Sequence, residues 1–294
     1  MRNPRGFQPP RPAYFVLERL EARRSEPPDR ESGLWGDLQV EVECVTEIHV
    51  GGTAPDLVDL DHGPALIQGM TSLPRPGGPV SVVPGSSVKG AVRAIVEAIT
   101  PSCERVGGKG CRGAELCPAC TVLGAPGWRA TVSFSDLSPS APVELTGLRI
   151  AQRYSHAHAP RRGRRLYGVI PEHPLPSEEE AIACLPPGTV LRGTVRLEGV
   201  REEGAGLVAL ALGLPPHGLP LLRLGAGKNR GLAQSRVTLV KGRAAHGSRE
   251  LVRGASRHID AAAVDSWQTT ALRVWPEACD RLARIATEYS KKAT

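Results

Sequence analysis

The first well-patterned segment of the chain alternates hydrophobic and polar residues. In LQVEVECVTEIHV (38–50), apolar side chains occupy every second position from Leu38 to Val42. A period of two places alternate side chains on opposite faces of a strand, so this segment is predicted to be a strand with one buried face. Residues 51–82 contain Gly, Pro and Asp throughout, which predicts a long loop.

A helical period follows this loop. Apolar residues spaced three and four apart line one face of the segment from 86 to 99, which predicts an amphipathic helix. Ser86 or Ser87 is expected to cap the start of this helix. The predicted buried face consists of Val88, Val92, Ile95, Val96 and Ile99.

Short apolar patterns of strand length return further along the chain. They predict strands at 131–137, 190–198, 206–214 and 235–240. Two segments lack such a pattern: 101–127 is a cysteine-bearing insertion, and 149–188 is irregular and very basic at first.

The tail from 255 to 292 is predicted to be helical. Pro276 suits the first turn of its last helix, whose buried stripe would be Ala278, Leu282, Ile285 and Tyr289. We therefore expect an α+β fold with helices packed against an antiparallel sheet. The predicted division is a basic, Pro-rich arm (1–36), a main domain (37–240) and a helical extension (241–294).

Composition narrows the function classes. The net charge of +7 is weak evidence for a polyanionic partner, but the aromatic content of 4 % leaves few rings for stacking bases. A nucleic-acid binder of this composition should hold the phosphate backbone and leave the bases free. The chain has no signal-peptide pattern and no apolar run of membrane-spanning length, so a cytoplasmic protein without a membrane partner is expected.

The entry of the predicted helix, VPGSSVKGAVR (83–93), is a candidate phosphate site. Free backbone N–H groups and the helix dipole favour an anion there, and hydroxyl donors and cations lie beside them. The alternative is an ordinary serine cap with two solvated cations. The candidate side chains are Ser86, Ser87, Lys89 and Arg93.

A second candidate phosphate site is the glycine-rich turn GAGKNRG (225–231). Glycines let a backbone approach a partner closely, and the turn adds two cations. It lacks the Walker pattern and does not open a convincing helix, so a nucleotide fingerprint is not expected. The alternative is a hairpin turn with surface charge. The candidate residues are Gly225, Gly227, Lys228, Asn229 and Arg230.

Four of the seven cysteines are clustered. Cys117 and Cys120 have the spacing of a zinc knuckle, and Cys103 and Cys111 complete a set of four thiolates. Such a closed site predicts structural zinc, with free thiols or a redox pair as the alternatives. Cys44, Cys184 and Cys279 are expected to be buried as small hydrophobic residues.

The basic stretch RIAQRYSHAHAPRRGRR (149–165) contains no acidic residue. Arginine binds phosphate through two parallel hydrogen bonds, and self-repulsion makes such a segment hard to fold without a polyanion. Nucleic-acid contact is therefore predicted for Arg149, Arg153, Arg161, Arg162, Arg164 and Arg165.

Carboxylates are clustered within the predicted loop 51–82. Asp56, Asp59 and Asp61, followed by His62, could hold Mg²⁺ for phosphodiester cleavage. The alternative is a set of solvated loop residues.

The order of these motifs resembles the RAMP superfamily. TEIHVGG (46–52), VPGSSVKGAVR (83–93), CPACTVLGAPGWRATVSFSDL (117–137) and GAGKNRGLAQSRVTL (225–239) are similar to the repeated backbone subunit of type III and type III-derived CRISPR effectors. The resemblance covers residues 38–240.

The resemblance implies a modified RRM-like, ferredoxin-type palm with a zinc-bearing insertion and a thumb at 149–188. It further implies copies stacked along a guide crRNA, beside other effector subunits, that present the guide to a complementary target RNA. On this basis the helix entry, the glycine-rich turn and the basic stretch would line one groove on the guide.

Two enzymatic alternatives come with the resemblance. Members that cut target RNA carry an Asp at the place that His62 holds here, and Asp61 precedes it by one residue. A metal-dependent endoribonuclease using Asp61 or Asp59 is therefore the alternative to a non-cutting scaffold. His49 could contact RNA or act as acid and base in trimming the guide precursor.

Overall fold

The computed structural model of the protein describes residues 14–60, 63–103, 110–112, 114–151, 163–168 and 179–290. The strands are β1 Tyr14–Glu18, β2 Leu34–Cys44, β3 Gly51–Leu60, β4 Gly63–Met70, β5 Ser72–Leu73, β6 Val80–Ser81, β7 Val132–Phe134, β8 Ser138–Pro139, β9 Thr146–Ala151, β10 Gly163–Tyr167, β11 Glu179–Cys184, β12 Val190–Val200, β13 Leu222–Arg223, β14 Gln234–His246 and β15 Arg257–His258. The α-helices are α1 Gly85–Ile99, α2 Pro118–Leu123, α3 Glu202–Leu212, α4 Ser248–Val252, α5 Ala261–Val274 and α6 Glu277–Ser290.

The central sheet has the topology of a ferredoxin-type palm. Its four main strands lie in the order β14–β2–β12–β7, and every neighbouring pair is antiparallel. Along the chain these strands and two helices follow one another as β2, α1, β7, β12, α3 and β14. This is the βαββαβ arrangement shared by ferredoxin-like and RRM-like domains. The predicted α+β fold with an RRM-like palm is therefore confirmed.

Burial follows the predicted periods in β2 and α1. In β2 every second residue from Leu34 to Cys44 is buried, as a strand with one core face requires. The predicted face of α1, from Val88 to Ile99, is likewise buried. These two faces form part of one hydrophobic core between the palm sheet and its helices.

The predicted loop 51–82 is wrong, because it contains two paired strands. β3 and β4 form an antiparallel hairpin, and β4 adds β11 and then β9 to make a second sheet. β9, β10 and β11 also correct the expectation that 149–188 is irregular throughout. β3 and β4 contain the glycine and proline typical of a loop, and β4 pairs with β11 far along the chain, so local composition did not reveal these strands.

The predicted strand at 206–214 is wrong as well. Most of this segment lies in α3, whose residues from Gly204 to Leu212 are all buried. A continuous apolar run does not distinguish a buried strand from a buried helix. Two local features decide for the helix: Glu202 and Glu203 lie at its positive end, and Gly213 ends it in the left-handed conformation.

The helix ends are partly as predicted. α1 begins one residue before Ser86, with Pro84 in the capping position and no side-chain cap from either serine. The tail forms α5 and α6 as expected, and Pro276 directly precedes α6. The buried stripe of α6 is the predicted one, Ala278, Leu282, Ile285 and Tyr289. None of the described helices is long and apolar enough to cross a bilayer.

Candidate nucleic-acid interface and metal centre

A cleft of about 1080 Å³ lies between α1, β10 and the glycine-rich turn 225–231. We call it the basic cleft. Its helix wall carries Ser87 and the small residues Gly90 and Ala91, while Gly51 and Gly225 form part of the opposite side. A Cβ added at Gly90 would meet no atom within 4 Å. Small residues on both walls leave the backbone accessible to a ligand.

The charge of the basic cleft has one sign. Among the described residues that line it, five are cations and none is a carboxylate. The five are Arg19, Arg164, Arg165, Arg223 and Lys228. A concave surface lined by one sign of charge concentrates the opposite ion, so this cleft favours a polyanion.

Arg223 lies in the wall of the basic cleft and is 5 % exposed. Its guanidinium donates to the carbonyls of Gly168 (2.7 Å) and Tyr167 (3.2 Å) and stacks 5.1 Å from the Tyr289 ring centroid. Its Nε has no hydrogen-bond partner among the described residues. Burial lowers the pKa of Arg223, and burial together with Arg223 lowers the pKa of Lys228.

The glycine-rich turn is interlocked with the turn at 48–51. The N–H of Ala226 donates to the His49 carbonyl (2.8 Å), and Lys228 donates to the Gly225 carbonyl (2.8 Å). Gly225 has φ +96°, and a Cβ there would lie 2.3 Å from the His49 oxygen. Only glycine allows this approach, which explains the residue type in the motif.

His49 is buried, and its Nδ1 lies 2.7 Å from the Ala183 carbonyl. Since a carbonyl only accepts, Nδ1 carries the proton in this contact and the neutral ring has Nε2 as its acceptor. Nε2 has no partner among the described residues. The side chain thus joins the motif turn to β11, and its proposed roles with RNA stay predictions.

The start of α1 is fixed by the FSDL segment, a contact that the sequence did not reveal. Asp136 accepts a hydrogen bond from the Gly85 N–H (2.8 Å) and so caps the helix in place of the serines. A Cβ at Gly85 would lie 2.1 Å from the Phe134 carbonyl oxygen. The PGSS motif therefore needs its glycine for packing against β7.

The candidate phosphate-binding residues at the start of α1 line two different clefts. Ser87 lines the basic cleft, whereas Ser86, Lys89 and Arg93 line a second cleft of about 580 Å³. Arg93 donates to the Leu123 (2.6 Å) and Gly124 (2.7 Å) carbonyls, so its guanidinium already holds the end of α2.

Two arginines of the predicted thumb reach the basic cleft. Arg164 forms a 3.0 Å ion pair with Glu97 of α1, which is also 3.4 Å from Arg93. Arg165 stacks 5.4 Å from the Tyr14 ring centroid. The side chain of Arg149 on β9 is not described, and Arg153, Arg161 and Arg162 lie outside the described residues.

The acidic candidates lie on the β3–β4 hairpin. Asp59 is exposed and pairs in register with Pro64. Asp61 and His62 lie outside the described residues, and the side chain of Asp56 is not described. The structure therefore brings no acidic cluster together here within its described part, and the catalytic roles stay predictions.

The outer face of the palm sheet carries several ion pairs. Arg236 pairs with Glu43, Arg192 with Glu41 and Arg243 with Asp37 across neighbouring strands. RRM domains that read RNA on this face stack bases on aromatic side chains. Since cation and carboxylate neutralise each other here, this face is a poor match to that mode.

The four clustered cysteines meet in a buried site. The Sγ atom of Cys103 lies 3.6 Å from that of Cys120, 3.7 Å from that of Cys111 and 3.5 Å from that of Cys117. All four sulfurs lie within 4.8 Å of one another. Four thiolates at about 2.3 Å from a tetrahedral ion would be about 3.8 Å apart. The cluster therefore fits a four-thiolate metal centre.

The cysteine cluster lies against a segment that is far away in sequence. Hydrogen bonding to the Cys111 sulfur and the negative charge of its thiolate raise the pKa of Arg24. Next to it, Ser25 forms a β-bridge with Leu116. Burial raises the pKa of Cys44 and Cys184 to about 12, as expected for small buried thiols. The expectation for Cys279 was wrong: it is exposed, on the outer face of α6.

Three comparisons bear on identity. The RAMP superfamily model matches residues 41–232. No curated protein sequence matches the chain significantly.

Two solved structures are among those similar to the chain. A chain of the Type III-B Cmr-beta cryo-EM structure bound to cognate target RNA has 16 % identity and a TM-score of 0.43, with 74 % of this chain and 62 % of that chain covered. Csc2 of Thermofilum pendens has 11 % identity and a TM-score of 0.40, with 89 % and 92 % covered. The chain thus spans less than two thirds of the Cmr-beta chain.

The family match spans most of the palm, from β2 to the glycine-rich turn. It includes the first three motif segments, the cysteine insertion and the glycine-rich turn that opens the fourth segment. The protein belongs to the RAMP superfamily.

Proposed function

We propose that the protein is a guide-RNA-binding backbone subunit of a multisubunit CRISPR effector, and that the basic cleft holds the sugar-phosphate strand. The observation that supports this proposal is the set of five cations in a cleft whose described lining has no carboxylate. Further copies of the chain, other effector subunits and a complementary target RNA would be its partners in the cytoplasm.

Electrostatics favours a phosphate strand over a neutral ligand. Arg164 is neutralised by Glu97, but Arg223 and Lys228 are close enough for each to disfavour the charge of the other. A cation removed from water without a counter-ion is costly. A phosphate in the cleft would compensate both charges, because guanidinium and ammonium groups bind phosphate oxygens strongly.

The shape of the cleft supports binding of RNA through its sugar-phosphate backbone, with the bases left free. Glycine and alanine on its walls leave room for a strand close to the protein backbone, and its aromatic residues, Tyr167 and Tyr289, contact Tyr14 and Arg223. Rings engaged in this way are poorly placed to stack on bases. A guide held by its phosphates would keep its bases available for pairing with a target.

We propose zinc for the four-cysteine site. Four thiolates and no open position favour a structural ion over a catalytic one. Cys103, Cys111, Cys117 and Cys120 would hold the ion and stabilise the insertion.

Binding of a single-stranded RNA of about 30 nucleotides tests the proposal. The double variant Arg165→Glu, Lys228→Glu should bind at least about tenfold more weakly. The matched control, Arg196→Glu with Arg273→Glu, changes the same charge at exposed positions outside the cleft. Equal loss in both variants, or no RNA binding by the unaltered chain, would contradict the proposal.

A further inference from the structure

One edge of the palm sheet is open in its middle. β14 pairs with β2 along one side, whereas its other side is paired only near the two ends. β13 covers Gln234 and Ser235, and β15 covers Arg243 and Ala244. Within the described part of the chain, residues 236–242 have no strand on this side.

The sequence explains why both short strands stop. Leu222 lies opposite Ser235, so the same register would place Pro220 opposite Val237. Proline has no N–H to donate, and it therefore ends β13 at this point. At the other end, Ile259 donates to the Gly242 carbonyl (2.9 Å), and Asp260 then caps α5 and turns the chain away.

The open stretch presents unpaired backbone groups. Cys44 lies opposite Ser235 and donates its N–H to the Thr189 carbonyl, on the side away from β14. The N–H and C=O groups of Ser235 therefore point away from β2, toward the open side. Alternation along an antiparallel strand then turns the N–H and C=O groups of Val237 and Leu239 outward as well. No described residue bonds to these four groups.

A groove of about 480 Å³ runs along this edge, and we call it the edge groove. Its apolar lining comes from the 213–220 loop and the start of α5. The buried apolar residues that line the groove are Leu214, Leu219, Val237, Ile259 and Val264. An apolar groove beside a free row of backbone donors and acceptors is the arrangement that binds an extended peptide by strand addition.

We propose that the edge groove binds an extended segment of a partner protein, which adds a strand between β13 and β15. The segment would alternate apolar and acidic residues. The same alternation of apolar and acidic residues occurs in β2, which pairs with the other edge of β14. Val40 and Val42 of β2 lie opposite Leu239 and Val237, with Glu41 between them.

Charge on the outer face supports the acidic positions. β14 has a β-bulge between Leu239 and Lys241. Lys241 is exposed there, and no carboxylate of the described residues pairs with it. Apolar side chains of the added strand would face the groove lining, and the acidic ones would lie on the side of Lys241. A Lys at a sheet edge also discourages unspecific pairing, so the site would select among strands.

NMR titration of the full chain with the acetylated and amidated peptide Gln-Val-Glu-Val-Glu tests the proposal. The largest amide shifts are expected at Val237 and Leu239. The matched probe has the same side chains but carries N-methyl groups on the amides that would face β14, and it should bind about tenfold more weakly. Equal binding of the two peptides, or shifts confined to other surfaces, would overturn strand addition.

Reversal of one charge tests the acidic positions. Lys241→Glu should lower the affinity for the acidic peptide about threefold and raise the affinity for the peptide Gln-Val-Lys-Val-Lys by a similar factor. Arg196→Glu, on the central strand β12, should change neither affinity. An unchanged preference in Lys241→Glu would refute the chemistry assigned to the partner. Concentration-dependent dimers of the unaltered chain with shifts at Val237 and Leu239 would show that a second copy, not a partner protein, fills the groove.

Discussion

Salt dependence gives the sharpest test of the basic cleft. Five cations line it, and Arg164 is paired with Glu97, so we assign one phosphate contact to each of the other four. Each phosphate contact on a single strand contributes about 0.7 to the slope of log affinity against log salt, so we expect a slope of about −2.8. Between 50 and 200 mM salt the affinity should then fall about fiftyfold.

Lys228→Ala removes one of these contacts. Its slope should be about −2.1, and its affinity should fall only about twentyfold over the same salt range. Fluorescence anisotropy with labelled RNAs of different sequence measures both quantities, and Arg196→Ala is the control expected to keep the original slope. A slope near zero, an unchanged slope in Lys228→Ala, or a loss restricted to particular sequences would refute the phosphate-grip argument.

Four further outcomes are expected. Elemental analysis should find one zinc per chain, and Cys117→Ser should lose the metal and lower the melting temperature; clearly less than one zinc in the unaltered chain would contradict the site. Gly225→Ala should lower the free energy of unfolding by about 3 kcal/mol in urea titrations, since φ is +96° and the new Cβ would lie 2.3 Å from a carbonyl oxygen. Gly231→Ala, at φ +81° with open space around it, should cost only about 1 kcal/mol. Burial raises the pKa of Tyr289 to about 12 from 10.0, so its neutral form stabilises the fold below pH 10. About 3 kcal/mol should be lost as pH rises from 10 to 12, a loss that Tyr289→Phe should remove and that denaturation curves can follow. With Mg²⁺ and a guide-complementary RNA, cleavage that disappears in Asp61→Ala would favour the endoribonuclease, whereas no cleavage with intact guide binding would favour the scaffold.

The elements that local periodicity specifies were predicted well. β2 alternates strictly, and the buried stripes of α1 and α6 follow a helical period, so sequence and structure agree residue by residue. The cysteine cluster was also predictable, because ligand type and spacing restrict a metal site more than the surrounding fold does.

The second sheet and the cleft depended on contacts between distant residues. β3 and β4 contain the glycine and proline typical of a loop, and β4 pairs with β11 far along the chain. Arg223 and Tyr289 are far apart in sequence and lie outside the motifs, yet both line the basic cleft. The signal available in the sequence was Arg223 itself, which lies just before the glycine-rich turn. Conversely, Lys89 and Arg93 share a helix face that turns toward the second cleft.

The interlocked turns at 48–51 and 225–228 have a consequence for how this protein can change. The Ala226 N–H and the missing Cβ of Gly225 both depend on where the His49 carbonyl lies. A substitution that moves one turn therefore leaves the other without its partner, and substitutions on the two sides should be strongly non-additive. Evolution or engineering that reshapes this side of the basic cleft will have to alter both turns together.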